Sequence, residues 1–191
     1  MTLGIDKPDD LITALSNENM FWRTTAQRLL VERDNRDVLP QLYDLANQKK
    51  VDSLGLNPGA LHALWAIQGL GAIGTEQKAN TVLVASLGHP SYAVLKAAVE
   101  ILPNNGSNME TLLKADLIHD KDPRVQLAAI LYLSKNAAFA EIGRILYGLS
   151  KEEAIKKDPW LAKAVYITAS KHPDGFLASY KKDSADHGNK G

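Results

Sequence analysis

The chain has 191 residues, 45% hydrophobic and 23% charged, enough for one large domain or a short repeat array. Its 22 basic residues balance 22 acidic ones, which speaks against a protein that binds nucleic acid mainly through phosphates. The absence of cysteine excludes disulfides, thiolate nucleophiles, thiolate zinc sites and covalent haem attachment within the chain.

Residues 1–8 show no secretory-signal pattern, and no apolar run reaches the roughly 18 residues of a membrane span. The first strong helical signal is "NMFWRTTAQRLLVER". At about 100° per residue, Trp22, Ala26, Leu29 and Leu30 share one arc and predict a buried stripe. Arg23, Arg28 and Arg33 are spaced five residues apart, so they point in three directions and form no phosphate-tracking row. Arg28 is placed to reach Glu32 one turn on. Arg33 extends the buried face at the helix C-terminus, where a cation suits the dipole. Arg23 borders the stripe and is free to bond a neighbouring turn. In "DVLPQLYDLANQ", Val38, Leu42, Leu45 and Ala46 fall on one face, with Pro40 in the first turn.

Four X-Pro steps are nearly evenly spaced: Asn57-Pro58, His89-Pro90, Asp122-Pro123 and Asp158-Pro159. Each opens an apolar segment. Proline at the first helical position gives up no hydrogen bond, and Asn or Asp before it caps exposed N–H groups, so each step predicts a helix start. Between them lie the more amphipathic "EQKANTVLVASL", "ETLLKADLI" and "FAEIGRILYGL". Ser107 and Glu110 have capping-box spacing. Residues 123–133 are apolar nearly all round, as in a helix covered on both sides, and Ala128 and Ala129 permit close approach. No segment shows a strand pattern.

Helix pairs of roughly 32–38 residues, repeated about five times, predict an all-α fold, a right-handed α-solenoid. The expected organisation is a single domain over residues 1–182. Its repeats fall near 8–34, 35–74, 75–103, 107–136 and 137–172, followed by a short helix over 173–182. Residues 183–191 read as a polar tail or linker.

Candidate chemistry is sparse. Gly69, Gly71 and Gly74 match the spacing of a dinucleotide fingerprint, but they follow a helix rather than a strand and read as its termination. Of the histidines His62, His89, His119, His172 and His187, no pair has zinc-protease spacing. His89 and His172 precede prolines and are expected in turns. The run His119-Asp-Lys-Asp122 reads as a polar turn before a capped helix. His62 lies one turn from Trp65. Trp22, Trp65 and Trp160 recur in different repeats and are expected to be apolar plugs between layers. The alternative is a pocket lined by Trp22, Arg23, His62 and Trp65, the four candidate binding residues. No catalytic residue, metal ligand or cofactor is expected in this chain.

The segment "DPRVQLAAILYL" resembles the second helix of a HEAT repeat, with its Asp-Pro-x-Val-x-x-Ala-Ala pattern. Two stretches, "FWRTTAQRLLVER" and "ALHALWAIQGLGAI", resemble the HEAT segment of large bacterial membrane-bound dehydrogenases and haem-binding proteins. In that family a β-propeller precedes the HEAT segment and a cytochrome c domain with a Cys-x-x-Cys-His motif follows. This chain has neither. The resemblance implies a non-catalytic scaffold for protein or inter-domain contacts, one module of a larger extracytoplasmic (periplasmic) redox protein. It transfers no catalytic residue. The other function classes considered are a ligand-binding or enzymatic module near Trp22, His62 and Trp65, and a nucleic-acid-binding protein, which the zero net charge disfavours.

Overall fold

The computed structural model describes residues 3–188, among which there are twelve α-helices and no strand. The helices fall into two compact units, Met1–Pro103 and Asn104–Gly191. The division lies between the repeats expected to end at 103 and to begin at 107, inside what the sequence presents as one domain.

The first unit holds α1 (Pro8–Ala14), α2 (Met20–Glu32), α3 (Leu39–Ala46), α4 (Pro58–Gly69), α5 (Gln77–Ser86) and α6 (Tyr92–Ile101). Helices α2, α4 and α6 lie side by side in chain order, and α3 packs on both α4 and α5. Helix α4 therefore has neighbours on several sides. Its Ala60, Ala63, Leu64, Ala66 and Ile67 are all solvent-free, leaving Leu61 and Trp65 as its half-buried edge. The expected face of Val38, in the turn entering α3, and of Leu42, Leu45 and Ala46 on α3 is buried, joined by Leu39 and Tyr43. Each such leucine contributes roughly 1.5–3 kcal/mol by leaving water.

The glycine run ends α4. Gly71 has φ +66°, the left-handed conformation that glycine takes without steric cost. Its N–H bonds the Gln68 carbonyl at 2.9 Å, and the Ala72 N–H bonds the Ile67 carbonyl at 3.2 Å. This is the Schellman pattern of a helix C-terminus, with no phosphate cradle. Arg36 completes the cap, donating to the Leu70 and Gly71 carbonyls at 3.1 and 2.9 Å while pairing with Glu76. Tyr43 donates to the same Glu76 carboxylate, and burial together with that bond pushes its phenol up to about 12.

The second unit holds α7 (Gly106–Lys114), α8 (Pro123–Leu133), α9 (Ala140–Lys151), α10 (Glu153–Lys157), α11 (Pro159–Ala169) and α12 (Pro173–Gly188). Helix α11 packs on α8, α9 and α10, and α12 packs along α9. Gly175 of α12 lies directly against the Ala140 backbone of α9, which only a residue without a Cβ permits.

Three local expectations are corrected. The helix after His89-Pro90 starts at Tyr92, because His89 Nδ1 accepts the Ser91 N–H at 2.9 Å and holds the turn open for two more residues. The cap of α7 is Asn105, whose Oδ1 accepts the Asn108 N–H at 2.9 Å; Ser107 lies inside the helix. Helix α12 runs to Gly188 instead of stopping at 182. There the Asp183 carboxylate accepts from Tyr147 of α9 at 2.5 Å and from Lys151 at 2.7 Å, tying the late turns down. Residues 189–191 of the expected tail, and the side chain of His187, lie outside the described residues.

Candidate functional site

Two capped helices build the site. Asn19 starts α2 by accepting the Phe21 N–H at 2.9 Å. Asn57 starts α4 by accepting the Ala60 N–H at 2.9 Å, while its amide donates to the Gln48 and Lys50 carbonyls. These caps set the registers that place Arg23 of α2 opposite His62 of α4.

The Arg23 Nε–H donates to His62 Nε2 at 3.3 Å, and His62 Nδ1 lies 2.7 Å from Gln27 Oε1. A guanidinium only donates, so Nε2 is the acceptor and Nδ1 carries the proton given to Gln27. This is the neutral imidazole. Burial, reinforced by the Arg23 charge, lowers the His62 pKa to about 4. Arg23 Nη1 donates to the Asn17 and Glu18 carbonyls, both at 2.7 Å, and so ties the α1–α2 turn to α2. The expectation that Arg23 bonds a neighbouring turn describes this contact.

A cavity of about 320 Å³ opens beside this network. Its walls include Met20, Arg23, Leu61, His62, Trp65 and Tyr92. Of the four candidate binding residues, Arg23, His62 and Trp65 line it and Trp22 does not. Adjacent helical residues point about 100° apart, so Trp22 cannot follow Arg23 into the cavity. Trp22 is half-buried, with its ring edge-on to Phe21 at 5.1 Å. Gln27 and Tyr92 are the participants that sequence reasoning missed. Gln27 stands one turn from Arg23 and was accessible to helical arithmetic. Tyr92, on α6, reaches the site only through tertiary packing.

Trp160 corrects the expectation of a plug: it is 71% exposed, with the Lys163 ammonium 5.7 Å from its ring centre. The buried stripe of α11 is Leu161, Ala164, Val165, Thr168 and Ala169, and Trp160 falls outside that arc. The two histidines before prolines are in turns and are almost completely buried. His89 joins Ser91 N–H to the Gln48 carbonyl, and His172 joins Phe139 N–H to the Leu133 carbonyl. Both are the Nε2–H tautomer, fixed by an amide donating to Nδ1. His119 bonds Asp116 at 2.6 Å and approaches Glu152 at 3.4 Å, and Asp122 caps α8. Among the described residues no cluster of three or more His, Cys, Asp or Glu could hold a metal ion. None of the described helices is long and apolar enough to cross a membrane. The chain matches no protein-family profile, no curated protein and no solved structure.

Proposed function

We propose that this chain is a non-catalytic scaffold, an α-solenoid of about five HEAT-like helix pairs that mediates protein–protein or inter-domain contacts. The solenoid reading is supported by the proline spacing and by the side-by-side packing of α2, α4 and α6. The resemblance of residues 21–33 and 60–73 favours a module of a larger bacterial, extracytoplasmic dehydrogenase.

One observation carries the contact role. Helices α11 and α12 expose Trp160, Tyr166, Ile167, Leu177 and Tyr180, with Tyr166 at 79%, and Tyr166 and Leu177 line a groove of about 270 Å³. Exposed apolar groups gathered on two adjacent helices mark an interaction surface. Exposed Lys163, Lys181 and Lys182 lie on the same two helices, and exposed Lys171 lies in the turn between them. That combination fits a protein element with an apolar face edged by carboxylates.

The test is site-specific photocrosslinking from position 166 in the native host, with position 110 on α7 as control. One discrete adduct at 166, lost in Leu177→Asp and absent at 110, is expected. No adduct at 166, or the same adducts at both positions, overturns the assignment.

A further inference from the structure

The chain has six arginines, and five of them hold a carboxylate: Arg28 with Glu32, Arg33 with Asp37, Arg36 with Glu76, Arg124 with Asp122 and Arg144 with Glu141. Arg23 is the exception. Among the described residues no carboxylate lies within ion-pair reach of it. Its Nε is committed to His62 and its Nη1 to two carbonyls, while Nη2 has no hydrogen-bond partner among the described residues. This half-buried guanidinium lines the 320 Å³ cavity, whose other walls are chiefly apolar and aromatic.

We infer that this cavity is a binding site for a small aromatic carboxylate, with the carboxylate on Arg23 Nη2 and the ring against Trp65, Leu61 and Tyr92. The charge argument selects the head group. A partly desolvated guanidinium favours an anion, and no wall residue is acidic, so a cation is repelled. Both nitrogens of His62 are occupied and its ring is neutral, so the site offers a single positive charge. One charge among apolar walls suits a carboxylate better than a phosphate, whose second charge would stay unpaired. The volume lies at the small end of ligand pockets, room for one ring and a short acid chain. The Arg23–His62–Gln27 chain holds the guanidinium in place before the ligand arrives, which lowers the entropy cost of binding. This goes beyond the scaffold reading and concerns residues of the first unit, whereas α11 and α12 belong to the second.

The full chain is titrated with phenylpropionate, N-acetylphenylalanine and phenylpropionamide, following the Trp65 indole N–H by two-dimensional NMR, assigned with Trp65→Phe. The acids are expected to shift that resonance, and the neutral amide to bind at least about tenfold more weakly, the loss of one charge-assisted bond. Tighter binding of N-acetylphenylalanine identifies the C-terminal carboxylate of a peptide as the ligand; tighter binding of phenylpropionate identifies a free acid. Ala93→Phe, which fills the cavity and leaves Arg23 in place, is expected to abolish binding while its spectrum stays dispersed. Equal affinity for acid and amide, no shift at Trp65, or wild-type binding by a folded Ala93→Phe overturns the proposal.

Discussion

Arg23 and His62 meet across α2 and α4 at 3.3 Å, and that contact decides the protonation of the imidazole. A cation that can only donate forces a bare nitrogen toward itself, and Gln27 takes the remaining proton. The contact also divides the two readings of the site residues. Arg23, His62 and Trp65 share a cavity wall, whereas Trp22 belongs to the helix packing.

The neutral state of His62 makes stability depend on pH. An unfolded chain protonates this histidine near 6.5, and the folded chain resists until about 4. The stabilisation is therefore fully present above 6.5 and is lost as pH falls toward 4, by on the order of 2–3 kcal/mol. Urea unfolding of the wild type and His62→Gln at about pH 7 and about pH 4.5 checks this, since the wild type should lose more. Equal losses would place the proton linkage elsewhere.

The close approach of α9 and α12 rests on Gly175. A methyl group there meets the Ala140 carbonyl, so Gly175→Ala should cost roughly 1–3 kcal/mol or more. Gly148, on an exposed part of α9 with nothing within 4 Å of its missing Cβ, is the control. Gly148→Ala should be neutral or stabilising by up to about 1 kcal/mol. In thermal unfolding the midpoint should fall in Gly175→Ala and stay level or rise in Gly148→Ala.

The true cap of α7 is separable from the capping-box candidate. Asn105→Ala removes the acceptor for Asn108 N–H and should cost about 1 kcal/mol. Ser107→Ala should change stability by less than about 0.5 kcal/mol. The reverse order in chemical denaturation would reinstate Ser107 as the cap.

His172 is 1% exposed and satisfies two backbone groups from different segments. His172→Ala strands the Phe139 N–H, while the Leu133 carbonyl keeps the Asn136 N–H, and should cost about 1–3 kcal/mol. A loss below about 1 kcal/mol in urea would show that water replaces the ring without penalty.

Trp160→Ala should leave stability within about 0.5 kcal/mol, because the ring is exposed. A loss above about 2 kcal/mol would restore the plug reading.

The sequence by itself determined what is local. Helical periodicity fixes the buried stripes, as with Ala26 and Leu30, because side-chain direction follows residue number. Caps at Asn57, Asp122 and Asp158, the glycine stop after α4 and the Arg28–Glu32 pair are likewise short-range, none reaching farther along the chain than the bond from Ala72 N–H to the Ile67 carbonyl. Long-range geometry decided the rest. Periodicity cannot say whether a tryptophan at a stripe's edge meets a neighbouring helix, as Trp65 does, or water, as Trp160 does. Nor can it assign partners to His89 and His172, whose acceptor carbonyls lie 41 and 39 residues away. The Arg23–His62 contact, 39 residues apart in sequence, exists only because α2 and α4 pack in one register. That register comes from the fit of many side chains together, and no short segment carries it.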